Sequence, residues 1–139
     1  MNTKIFKSVF MLTIMLGIMA IFSSCTKEQP KDERDPFLGT YRTYFEYTEN
    51  GEIQKGTYTL TIVKSSTNQT DILLNNINGW NESVRATVSG NAMTIPQQTI
   101  LSLGISGSGT LSGDVLKFFT QHTTTGGTPT NVTQTATKQ

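Results

Sequence analysis

Thr57-Tyr58-Thr59-Leu60-Thr61-Ile62 is the stretch on which the fold turns: three large apolar side chains alternate strictly with three threonines. A period of two sends Tyr58, Leu60 and Ile62 to one face of a strand and leaves a β-branched, hydroxyl-bearing face on the other. The same pattern recurs on either side. Val84, Ala86 and Val88 alternate with Arg85, Thr87 and Ser89. Phe37, Tyr41, Phe45 and Tyr47 share one face of an earlier run, and Leu116, Phe118, Thr120 and His122 share one face of a late one. No window sustains the three-and-four apolar spacing of a helix over a helical length, so the domain reads as all-β.

Turn-forming pairs separate these runs. Asn50-Gly51 is the strongest, because a type I′ hairpin turn needs positive φ at both central residues. Asn78-Gly79, Gly90-Asn91, Gly113-Asp114 and Gly126-Gly127 supply similar breaks. Strands are expected over 37–48, 54–64, 70–77, 82–89, 92–96, 99–105, 107–112, 114–123 and 130–138. Of these nine runs, the two around Gly107 and Gly109 count as one bent strand, since glycine inside a strand marks a bulge or corner. Eight short-linked strands with one apolar face predict an up-and-down antiparallel meander that curls into a closed barrel and so pairs its edges. Eight strands leave an interior that side chains fill, or that holds one small ligand. Centring the last hairpin on Gly126-Gly127 pairs Phe118 with Ala136, Thr120 with Gln134 and His122 with Val132.

Ahead of the strands lies a different kind of sequence. Lys4 and Lys7 precede an apolar run from Val9 to Phe22, and Phe22-Ser23-Ser24-Cys25 follows with the only cysteine of the chain. Basic, apolar and small-residue segments in that order predict a secretory signal peptide over 1–24. The apolar run is shorter than the ~20 residues of a membrane span. The end of the segment resembles a bacterial lipobox, with Phe22 where a leucine-type residue is usual. That resemblance implies diacylation of Cys25, which becomes the mature N-terminus and anchors the protein to a membrane, two or three acyl chains being enough for stable attachment. Residues 25–35 are almost wholly polar and predict a flexible tether before a barrel domain at 36–139. The implied location is the outer membrane, facing the periplasm or the cell surface. Lys27-Glu28 and Lys31-Asp32-Glu33 loosely resemble the acidic stretches that direct some such lipoproteins to the surface.

Composition excludes several functions. The chain carries 11 basic and 10 acidic side chains. Loss of Lys4 and Lys7 with the leader turns the balance slightly acidic, which offers no basic field for nucleic acid. With Cys25 acylated there is no disulfide and no thiolate chemistry. One histidine and scattered carboxylates predict neither a metal site nor a cofactor. The glycine-rich 104–113 stretch lacks the Lys-Ser/Thr of a phosphate loop, and no Gly-x-Ser-x-Gly elbow occurs. No acid, base and nucleophile constellation stands out, so no enzymatic activity is expected.

The segments 58–66, 85–98 and 105–114, with Asp35-Pro36-Phe37-Leu38-Gly39-Thr40-Tyr41 as an opening strand and Thr137-Lys138-Gln139 as an ending, resemble the small lipocalin-like lipoproteins of bacteroidetes. The likeness covers nearly all of the chain after the leader. It implies a calycin-type barrel of generally unassigned function and lends no catalytic residues. Thr120, His122 and Gln134 are candidates for a polar pocket floor, and Trp80, in a polar turn, for a ligand-stacking or lid residue. Two functions follow from such a barrel. It holds a small apolar or amphipathic ligand in an open interior. Alternatively it has a solid core, like a structural or inhibitor-type envelope protein, and contacts a protein or glycan through its loops.

Overall fold

A computed structural model describes residues 30–139; the expected signal peptide over 1–24 and the expected lipid attachment at Cys25 lie outside them. Eight strands follow in order: β1 (Gly39–Glu49), β2 (Glu52–Lys64), β3 (Asp71–Asn75), β4 (Ser83–Ser89), β5 (Ala92–Ile100), β6 (Leu103–Ser112), β7 (Val115–Thr123) and β8 (Thr130–Lys138). Each pairs antiparallel with the next, and β8 returns to β1, so the sheet closes as an up-and-down barrel with no free edge. The period-two patterns sort as their chemistry dictates. Tyr41, Leu60, Ile62, Val84, Leu116 and Phe118 are buried inside, while Thr57, Thr59, Arg42, Lys117 and Phe119 face out.

One end of the barrel is plugged. Phe37, expected in the first strand, instead belongs to a short 3-10 turn, Asp35–Phe37, that drops its ring fully buried into the core. Tyr41 donates its hydroxyl proton to the Phe37 carbonyl at 2.9 Å. The turn is clamped from outside by Arg34, whose guanidinium grips Asp32 and donates to the carbonyls of Ser65, Asn68 and Asp71 at 3.4, 3.0 and 3.4 Å. Lys64 bridges Asp32 at 2.8 Å and Asp35 at 2.6 Å. Residues 32–35, expected as part of a free tether, are therefore a docked element of the barrel, and the compact unit begins at Asp32. Their charges mimic a solvated linker in sequence, yet each meets a partner: Asp32 and Asp35 pair with Lys64 at the end of β2, Arg34 reaches the β2–β3 loop, and Glu33 accepts from the Gly90 amide at the β4–β5 turn. Hydrogen bonds from Arg34 and Lys64 hold the Asp32 carboxyl well below its usual range.

The strand breaks differ from expectation around Pro96. Expected to end near residue 96, β5 runs on to Ile100, and its hairpin turn falls at Leu101-Ser102, both at positive φ. Proline cannot donate to the ladder. The strand passes it by a bulge that shifts the β5–β6 register between Ile95 and Gln98. The Gln98 side chain then substitutes for the missing backbone bonds, accepting from the Arg85 amide at 3.1 Å and donating to the Arg85 carbonyl at 2.8 Å. Gly107 and Gly109 sit inside β6, as one bent strand requires. A Cβ on Gly107 would lie 2.2 Å from the Phe119 carbonyl oxygen, so β6 and β7 approach too closely there for any side chain.

The last hairpin also shifts. Phe118 pairs with Gln134, Thr120 with Val132 and His122 with Thr130, two residues from the expected partners. The Gly127 amide closes a turn on the Thr124 carbonyl at 3.0 Å, which centres the loop on Gly126. A shift of two keeps every side chain on its own face, so the inward set survives.

Candidate functional site

At the end opposite Phe37 the barrel is hollow. The rings of Phe45 and Tyr47 from β1, Trp80 from the β3–β4 connection and His122 from β7 line a cavity of about 300 Å³, with Leu103 and Val132 completing its apolar wall. Toward solvent its rim is polar, formed by Glu49, Thr124, Thr128 and Thr130. Below it the interior is filled, so the cavity is a shallow cup.

Room for the cup comes from one residue. Phe45 pairs across the strands with Gly56, and a Cβ there would stand 2.8 Å from the Phe45 ring. The ring lies over the missing side chain, within 6.2 Å of both Tyr47 and Tyr58.

The floor is a chain of hydrogen bonds. Tyr58 donates to Gln134 Oε1. Gln134 Nε2 donates to Thr120 Oγ1 at 2.9 Å, and that oxygen lies 3.0 Å from His122 Nε2. Asn78 Nδ2 donates to the same histidine nitrogen at 3.0 Å. With Nε2 accepting, the ring proton resides on Nδ1. Burial lowers the His122 pKa and favours this neutral form. Burial likewise pushes the Tyr58 phenol far above its usual range, so it stays a donor. Two buried oxygens, Thr43 Oγ1 and Asn78 Oδ1, have no partner among the described residues.

Trp80 is held by an unusual turn. Asn76, Asn78, Gly79 and Asn81 all take positive φ, which asparagine and glycine tolerate best. Asn76 ties the connection down, donating its amide to the Thr59 carbonyl at 2.8 Å and accepting from the Asn81 amide at 2.8 Å. The indole packs against the core, its centre 4.8 Å from that of the His122 imidazole.

All four residues singled out in the sequence thus meet in one place, Trp80 and His122 at the cavity wall and Thr120 and Gln134 beneath it. Tyr58, Asn78 and Phe45 belong with them and were not anticipated as site residues. The signal for Asn78 was present in Asn78-Gly79, which reads first as a turn. Among the described residues no group of three His, Cys, Asp or Glu side chains is placed to hold a metal ion.

Fold and site together define a small closed β-barrel, plugged at one end, with an aromatic cup at the other. No protein-family model matches the chain, and no curated protein matches it either.

Proposed function

We propose that this is a lipid-anchored binding protein of the lipocalin-like kind, which holds a small apolar or amphipathic molecule in the cup between Trp80 and His122. The observation that carries the proposal is the asymmetry of the interior. Phe37 seals one end completely, and a cavity of about 300 Å³ remains at the other. Apolar pockets with a few placed polar groups are the usual form of a small-molecule site. No step of chemistry is assigned to it: the Thr120 hydroxyl that meets His122 Nε2 is fully buried and is held from the other side by Gln134. Acylation at Cys25 places the protein in the outer membrane in this proposal. Within the described barrel, the chain enters at the plugged end, through the turn at Asp35–Phe37.

Native mass spectrometry of the full chain, taken from its own envelope in mild detergent, tests this. A retained small molecule of reproducible mass, lost in Trp80→Leu, is expected. The filled lower barrel favours a second reading, a solid-core protein that contacts a protein or glycan through its loops. A bare protein mass in every preparation would select that one.

A further inference from the structure

The loops around the cup carry one sign of charge. Four connections meet at this end: residues 50–51, 76–82, 101–102 and 124–129. Together with the strand ends beside them they contain Glu49, Glu52 and Glu82 and neither lysine nor arginine. The plugged end differs, since Arg34, Lys64 and Lys138 stand there among the aspartates.

Two of the mouth carboxylates are set directly against each other. Glu49 and Glu52 are cross-strand partners at the β1–β2 turn, on the inward-facing phase of both strands. Like charges opposite one another destabilise a sheet. Neither has a lysine or arginine within ion-pair distance among the described residues. Among the described residues Glu49 is the only carboxylate that lines the cup, and it shares that lining with Phe45, Tyr47 and Trp80. The histidine there adds no compensating charge, because its environment keeps it neutral.

Aromatic faces carry negative potential and attract cations, the more so when water is partly excluded. A cleft lined by one sign of charge also concentrates ligands of the opposite sign. An anionic amphiphile such as a fatty acid would instead bring its carboxylate against Glu49. From this arrangement we propose that the cup selects amines: small molecules with an apolar or aromatic body and a single ammonium group. The body lies against Leu103 and Val132, and the ammonium sits among the aromatic rings below Glu49. The inference rests on the cup being a ligand site at all.

A matched series separates the two questions. 4-Phenylbutylamine, 4-phenylbutanol and 4-phenylbutyrate share one body and differ in charge at neutral pH. Their binding to the full chain in non-ionic detergent is read from the fluorescence of Trp80, the only tryptophan, and by calorimetry. The amine is expected to bind about tenfold more tightly than the alcohol, and the acid most weakly. Glu49→Gln, alone and with Glu52→Gln, is expected to abolish the amine's roughly tenfold advantage, read in each variant as the ratio of amine to alcohol affinity. The amine's advantage should also shrink with added salt. If alcohol or acid binds as well as amine, or the glutamine variants keep the full preference, selection for amines is wrong while the cup remains a binding site. If none of the three binds, both the selectivity and the site are overturned.

Discussion

The indole of Trp80 lies 4.8 Å, centre to centre, from the imidazole of His122, and this contact joins the β3–β4 connection to the mouth end of β7. It places the only histidine of the chain under a hydrophobic cover, with Asn78 Nδ2 and the Thr120 hydroxyl at its Nε2.

That environment makes the folding stability depend on pH in a definite direction. Burial lowers the folded pKa of His122 from its ordinary value of 6.5. As pH falls through 6.5 the unfolded chain takes up the proton before the folded barrel does. Stability is therefore complete above that pH and declines as pH falls toward the lower, folded pKa. Urea midpoints measured across this window should slope for the native protein and flatten for His122→Gln. An imidazole NMR titration with its midpoint at or above 6.5 would contradict this account.

Gln134 is 1% exposed and joins Tyr58 to Thr120. Gln134→Leu leaves two buried hydroxyls without that partner and is expected to cost about 1–3 kcal/mol. Adding Tyr58→Phe removes one of the stranded groups. The double variant should then be more stable than the sum of the single effects predicts, a non-additivity readable from denaturant unfolding.

Gly56 is the position that shapes the cup. Gly56→Val drives a side chain into the ring of Phe45, which already lies 2.8 Å from where a Cβ would stand. The ring must move, at a cost of about 1–3 kcal/mol for overpacking. Retention of a small molecule in native mass spectra should fall more steeply than stability does. Equal retention in the variant would mean that the Phe45 ring does not bound the occupied space.

Arg34 clamps the N-terminal turn through three carbonyls and Asp32. Arg34→Ala should loosen residues 32–37, read as faster exchange of the Asp35 and Phe37 amides, which donate to Asp32 and Arg34 carbonyls. Exchange at the mouth strands should not change. A uniform loss of protection would show that the clamp supports the whole barrel. The Asp32 carboxyl, held below its usual range, adds an acid limit: its contribution is present above its unfolded pKa and lost as pH falls toward the depressed value.

Much of this barrel is legible in the residues, because period-two alternation and hairpin chemistry are local signals. Tyr58, Leu60 and Ile62 declare an inward face, and Asn50-Gly51 and Gly113-Asp114 declare turns where turns occur. What escapes is set by distant partners. Leu101 and Ser102 form a tight turn without asparagine or glycine because the strands on either side are paired around them. Pro96 looks like a strand end until Gln98 is seen bonding to Arg85. Asp32 and Arg34 read as linker because their partners, Lys64 for Asp32 and Ser65, Asn68 and Asp71 for Arg34, lie far along the chain. In the site, Trp80 and His122 stand out by rarity, whereas Phe45 gains its role only from the absence of a side chain at Gly56.

An even number of up-and-down strands returns the polypeptide to the side where it began. Lys138 donates to the Pro36 carbonyl at 3.2 Å, and the Gln139 amide to the Thr40 carbonyl at 3.0 Å. The barrel is thus nearly a ring in sequence as well as in hydrogen bonding. A short peptide bridge from Gln139 to Asp32 would make a circular permutant, reopened in the exposed loop at 124–129. Both new ends would then emerge beside Trp80, so a reporter fused to either would sit where a ligand must pass.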